Sequence, residues 1–236
     1  MKKRFFVALF CLCFVALCAA TSRAQDASEA DGAAGNSQGA GASGSPYELK
    51  KGTNEFGFWG GGAFSATTAF GGLRPSEASG RHYFTLALRY GRTLAANRHA
   101  ALQYTLDAIP VAIAGGNITE AVQDPGGTFI ATKRESTYGF GLTPLGLQAD
   151  FSNTHRVKPF AHVNAGGILF SKRVPLPDAE RFVFTLEGGG GVRVFTSERR
   201  AVSLGVRLTH ISDANRSGSN RGLNQFVVYA GFSVFK

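Results

Sequence analysis

The stretch Ala201-Val202-Ser203-Leu204-Gly205-Val206-Arg207-Leu208-Thr209-His210-Ile211-Ser212 decides how the rest of the chain is read. Val202, Leu204, Val206 and Leu208 alternate with Ser203, Gly205, Arg207 and Thr209, the two-residue period of a β-strand with one apolar face. The segment 201–212 is also long. Soluble strands average about 5–6 residues, whereas a tilted strand crossing a bilayer needs about 9–11. The apolar series then ends on His210 and Ser212, two polar residues on the apolar face.

The same alternation extends outward in both directions. Segment 81–92 sets Phe84, Leu86, Leu88 and Tyr90 against Thr85, Ala87, Arg89 and Gly91. Segment 99–113 sets Leu102, Tyr104, Leu106 and Ala108 against Gln103, Thr105 and Asp107. In 157–171, Ala161, Val163, Ala165 and Leu169 oppose Lys158, His162 and Asn164. In 181–196, Phe182, Phe184, Leu186, Val192 and Val194 oppose Thr185, Glu187 and Arg193. Segment 225–235 carries Phe226, Val228, Ala230, Phe232 and Val234 on one face. Segments 54–65 and 136–150 are less regular but rich in Gly and aromatics, and Pro144 marks a bulge or an edge irregularity. The result is eight strands of 11 to 16 residues joined by connections of 15, 6, 22, 6, 9, 4 and 12 residues. Long loops at one end and short turns at the other predict an all-β fold, an eight-stranded antiparallel transmembrane barrel of the outer membrane.

Composition agrees. Among 236 residues, 31 are Gly and 20 are Phe, which disfavours long helices and disorder alike. No run of about eighteen apolar residues follows residue 24, so no transmembrane helix is expected. Residues 1–24 read as a signal peptide: Lys2, Lys3 and Arg4 precede an apolar run from Phe5 to Ala20, and Ser22-Arg23-Ala24 is a small-x-small cleavage site. Leu17 before Cys18 is too bulky for a lipoprotein signal. Cys11, Cys13 and Cys18 all lie in this segment, so the mature chain has no thiol chemistry. Removing the four basic side chains of residues 1–24 lowers the formal charge from +9 to +5, and nucleic acid is not an expected partner. Residues 25–46 read as a flexible Ala/Gly/Ser-rich extension, and residues 47–236 as the barrel domain.

In a barrel this narrow the lumen is filled by side chains. Arg89, Gln103, Asp107, His162, Glu187, Arg193 and Arg207 are expected to pair there, because buried charges need partners. The aliphatic face meets lipid. Phe235, beside the terminal Lys236, gives the aromatic end strand that barrel-insertion machinery reads. A soluble lipocalin-like barrel would instead turn its apolar face inward, and long strands with alternating loops disfavour it.

No GxSxG or HExxH motif is present, and none of His82, His99, His155, His162 and His210 pairs with another at ligand spacing, so neither a metal site nor a cofactor is expected. The run Gly188 to Gly191 reads as a packing or bending feature within a strand. His210 and Ser212 remain. Alternate residues of a strand lie about 6.6–6.8 Å apart at Cα, close enough for an imidazole to activate a hydroxyl. Spacing alone is weak evidence, but ionisable groups facing lipid are costly and functional by default. Strand 201–212 runs toward the long-loop end, which places the pair at the level of the outer leaflet, where lipopolysaccharide lies.

The stretch His210-Ile211-Ser212-Asp213-Ala214-Asn215, followed by Asn220-Arg221-Gly222-Leu223-Asn224, resembles the H-x-S-N-A…N-x-G motif of PagL-type lipid A 3-O-deacylases, the acyloxyacyl hydrolase family. The architectural resemblance spans about residues 54–236, and the motif about 205–235. It implies an outer-membrane serine esterase acting on lipid A, with Ser212 as nucleophile, His210 as general base and Asn220 as oxyanion donor. Two positions depart from the pattern. Asp213 replaces an Asn, and Asn224 stands where the family has the Glu that orients the His. An Asn orients an imidazole but stabilises imidazolium less than a carboxylate. The alternatives are a loop carboxylate (Glu120, Asp124 or Glu135) in that role, or a non-catalytic barrel with a structural or surface-binding role. Leu204, Val206 and Leu208 would line an acyl groove. Arg216 and Arg221 are candidates for lipid A phosphates, although loop arginines are more often simply solvated. A homodimer is left open.

Overall fold

The computed structural model describes residues 44–68, 72–73, 75–125, 127–177, 179–217 and 222–236. The expected signal peptide and residues 25–43 of the expected extension lie outside the described residues. Residues 44–46 belong to a turn in which Glu48 N donates to Ser45 O at 3.0 Å.

The strands are β1 (Asn54–Ala63), β2 (Ala66–Thr67), β3 (His82–Ala96), β4 (Ala100–Asp124), β5 (Gly127–Phe151), β6 (Val157–Phe170), β7 (Phe182–Ser197), β8 (Arg200–Ser212) and β9 (Leu223–Phe235). Neighbours pair antiparallel from β1 and β3 through β9, and β1 also pairs with β9, which closes the sheet. The short β2 pairs with β9 beyond the end of β1 and so prolongs it after an interruption at Phe64 and Ser65. Eight strands therefore form one closed barrel with no free edge, the architecture of an outer-membrane β-barrel. Among the described residues no helix is long and apolar enough to cross a membrane; the strands do so.

Alternation sorts the faces as expected. Phe58, Leu88, Phe140, Leu145, Leu204 and Val228 are more than half exposed, as lipid-facing residues of an isolated barrel must be. In the lumen, Arg89, Arg193 and Arg207 pair with Glu55, Asp107, Asp150 and Glu187, all buried. Arg89 grips Asp107 through two bonds of 2.7 Å. Arg193 bonds Glu55 at 2.9 and 3.0 Å and pairs with Asp150 at 3.2 Å. Arg207 bonds Glu187 at 2.7 Å and stacks on Trp59, its guanidinium carbon 3.6 Å from the ring centroid. Removing one partner of such a buried pair costs about 3–5 kcal/mol, because the other charge is left without compensation.

Two expectations need correction. First, residues 114–135 are not a 22-residue loop. Strands β4 and β5 continue from the expected ends to a tight turn after Asp124, pairing from Gly115↔Ser136 to Asp124↔Gly127. Gly115-Gly116-Asn117 looks like a break in sequence, yet the ladder crosses it. Gly116 sits at φ +134°, where a Cβ would lie 2.3 Å from Gly80 O. Second, His162 pairs with nothing by hydrogen bond among the described residues. The carboxylates around it are held by the arginines, and its ring instead packs edge-on to Tyr229 at 5.9 Å. Phe235, on the face opposite Val234, points into the lumen, in line with the alternation. With Leu49, Ala101, Phe195 and Ala201 it seals the short-turn end, where Lys158 Nζ donates to Tyr47 O and Asn153 O at 2.7 and 2.6 Å. Pro144 does sit at a register shift, between Leu142 and Leu145.

Candidate active site

The site stands on the outer face of β8 at the long-loop end. His210 and Ser212, two residues apart, are both half-buried and share the face of Leu204 and Val206. Strand register gives His210 a neighbour on either side and Ser212 one on β7. His210 lies between Leu186 of β7 and Asn224 of β9, and Ser212 lies beside Phe184 of β7. Directly opposite residues in an antiparallel pair have adjacent side chains, so the fourteen-residue separation of His210 and Asn224 becomes a contact.

That contact is a hydrogen bond of 2.6 Å between His210 Nδ1 and Asn224 Oδ1. An amide oxygen only accepts, so Nδ1 carries the proton and donates it, and Nε2 keeps its lone pair. This is the tautomer a general base for Ser212 requires. No hydrogen bond joins Ser212 Oγ to His210 among the described residues; in unliganded sites such a bond commonly tightens only when substrate binds.

The wall behind the imidazole is backbone. A Cβ on Gly222 would lie 2.4 Å from His210 Cε1, so a side chain there would push the imidazole from its place. Gly222 O accepts from Leu73 N at 3.1 Å, which brings the segment between β2 and β3 against the same wall. Asp213 turns away from the site, as alternation predicts. It is buried and accepts from Asn215 N at 3.0 Å, Ser217 N at 3.3 Å and the Ser217 hydroxyl. Ala214 and Asn215 take left-handed φ of 56° and 67°. Asp213 thus organises the turn that ends β8, a role open to Asn and Asp alike.

Of the other sequence candidates, Asn220 and Arg221 lie outside the described residues, as do the side chains of Glu120 and Asp124. Glu135 does not reach His210. It pairs with Lys172, whose hydrogen bond holds its carboxyl below the usual carboxylate range. Arg216 is not merely solvated: its Nε donates to Asp213 O at 3.0 Å, its Nη2 donates to Phe182 O, and the guanidinium lies over the rings of Phe182 and Phe184.

Leu204, Val206 and Leu208 form open barrel surface, whereas a groove of about 780 Å³ lies on the other side of Phe184. Its floor includes Ala165 and Gly167 of β6, and its walls are Phe140 and Leu142 of β5 and Phe182 and Phe184 of β7. The signal in the sequence was the pair of small residues at outward positions of β6 between bulky rows. It becomes a groove only once β5, β6 and β7 are side by side.

The family model described as lipid A 3-O-deacylase (PagL) matches residues 82–233, more than half of the chain, from the start of β3 into β9. No curated protein matches the chain. Similar solved structures include the outer-membrane enzyme PagL, at 14% identity over 75% of this chain and 97% of that one, with a TM-score of 0.45. They also include OprG from Pseudomonas aeruginosa, at 11% identity over 81% and 99% with a TM-score of 0.44. Neisserial surface protein A is similar at 13% identity over 78% and 97%, with a TM-score of 0.42.

Proposed function

The chain belongs to the lipid A 3-O-deacylase (PagL) family, and from that premise we propose that it is an outer-membrane serine esterase that removes an ester-linked acyl chain from lipid A. The observation that carries this reading is the 2.6 Å His210–Asn224 bond, which leaves Nε2 free on the apolar face that also bears Ser212.

In the proposed reaction Nε2 takes the proton of Ser212 as Oγ attacks the ester carbonyl. The tetrahedral intermediate collapses, the C–O bond to the sugar breaks, and imidazolium returns the proton to the sugar oxygen. Water, activated by the same Nε2, then releases the fatty acid and regenerates Ser212. Asn220 is the family-motif candidate for the oxyanion donor. The groove beside Phe184 suits the acyl chain, because it is apolar and adjoins the nucleophile.

Asn224 is neutral, so it fixes the ring but adds little to the stability of imidazolium. That observation favours a slow enzyme, and it is also what favours the second reading, a barrel that keeps the motif without catalysis. The test is mass spectrometry of lipid A after incubation with the purified protein in detergent, beside Ser212→Ala. We expect the wild type to remove one acyl mass and the variant to remove none. Unchanged lipid A, or equal release by both proteins, contradicts the proposal.

A further inference from the structure

Arg216 stands at the upper end of the apolar groove with no carboxylate partner among the described residues. Its guanidinium carbon is 5.3 Å from the Phe182 ring centroid and 5.2 Å from that of Phe184, the two aromatic walls of the groove on β7. Phe184 is the cross-strand neighbour of Ser212, so the cation, the groove and the nucleophile are contiguous.

The side chain is held in place. Nε bonds the carbonyl of Asp213 and Nη2 bonds the carbonyl of Phe182, which fixes the plane of the group from two strand ends. These two bonds use neutral acceptors, and among the described residues no ion pair offsets the charge. Among the described residues they also leave the far edge of the fork unused, because a guanidinium has five N–H donors. An exposed arginine usually samples many rotamers; this one is preorganised, so little entropy is lost when an anion meets its free edge. A planar fork of this kind matches the oxygens of a phosphate better than any neutral group. Whatever ester lipid places its chain in the groove below must hold its polar headgroup at the level of this cation.

We propose that Arg216 is the specificity-determining residue that recognises a phosphate monoester on the headgroup of the acylated lipid substrate, and so selects phosphorylated lipids over neutral ones. The inference rests on the reading of Ser212 as the nucleophile for an ester lipid. It goes beyond that reading by assigning headgroup selection to a residue outside the His–Ser–Asn set.

The experiment compares a 3-O-acylated glucosamine lipid carrying a phosphate monoester with its dephosphorylated counterpart, both in detergent micelles. The wild type should prefer the phosphorylated lipid in kcat/KM, and Arg216→Ala should lower that preference about tenfold, mainly through KM. Arg216→Lys keeps the charge but not the fork and should recover only part of it. Because Arg216 also steadies the turn after Ser212, the readout is the ratio between the two lipids, which a shifted turn would leave unchanged. Binding of each lipid to Ser212→Ala, with and without Arg216→Ala, gives the same comparison without turnover. Inorganic phosphate is titrated alongside. Weaker binding of the phosphorylated lipid alone supports the proposal. An unchanged ratio, or binding of inorganic phosphate with no discrimination between the lipids, overturns it. If the wild type releases no fatty acid from either lipid, the esterase reading fails, and the binding arm still decides whether Arg216 selects phosphate.

Discussion

The lumen and the outer face of β8 solve the same problem in opposite ways. Inside, Arg89, Arg193 and Arg207 are each bonded to at least one of the carboxylates of Glu55, Asp107, Asp150 and Glu187. Outside, at the end of an apolar row, His210 is bonded to a neutral amide. A carboxylate at residue 224 would stabilise imidazolium, but it would also bury a charge, since the Asn224 side chain is buried. In the lumen the charge is retained because a fixed counter-ion sits within hydrogen-bond reach. On the outer face the protein keeps the orientation of the imidazole and forgoes the charge. The comparison teaches that orienting a base and stabilising its protonated form are separable tasks; in the proposed mechanism Asn224 performs the first.

The largest effect expected at the outer site is loss of the nucleophile. Ser212→Ala should reduce acyl release by about 10⁴-fold or more, with heat-modifiable gel migration unchanged, since the side chain makes no hydrogen bond among the described residues. Unfolding of this variant would break the comparison by giving Ser212 a structural role. In the lumen, Glu187→Gln leaves Arg207 without its counter-ion and should destabilise the barrel by about 3–5 kcal/mol, read as a lower unfolding midpoint in denaturant. The same change is not expected at Asn224, where Asn224→Leu should cost little stability but lower activity about 10- to 100-fold by freeing the imidazole. Asn224→Glu sharpens the contrast: it should raise kcat if imidazolium stability limits the rate, and a fall would show that the pocket around Gly72 and Gly222 suits only the amide. The smallest effect is at the groove floor. Gly167→Leu should raise KM a few-fold for long-chain esters and leave short-chain esters nearly unchanged.

Much of this contrast is legible in the sequence. Period-two alternation sorts Leu204 and Val206 from Arg207 because a strand has only two faces. His210 and Asn224, fourteen positions apart, lie on consecutive paired strands, so their meeting is a local property of the motif. What the sequence conceals are features made by several strands at once. Glu55 and Asp150 become partners of Arg193 only when β1, β5 and β7 curl around one lumen. The groove needs the small residues of β6 to lie between rows on β5 and β7. The long hairpin of β4 and β5 is masked by Gly115-Gly116-Asn117, whose local preference for a turn is overridden by the close approach of Gly80. His162 looks like a partner for lumen carboxylates, but the stronger arginine pairs take them first.

The central claim is that a lipid-facing Ser212 is activated by an imidazole held by a neutral amide. The most direct measurement is the rate at which a fluorophosphonate labels Ser212, followed by peptide mass spectrometry in detergent. We expect labelling at Ser212 in the wild type, a marked slowing in Asn224→Leu, and none above background in His210→Ala. Labelling that is absent from the wild type, falls on another residue or proceeds equally without His210 would contradict it.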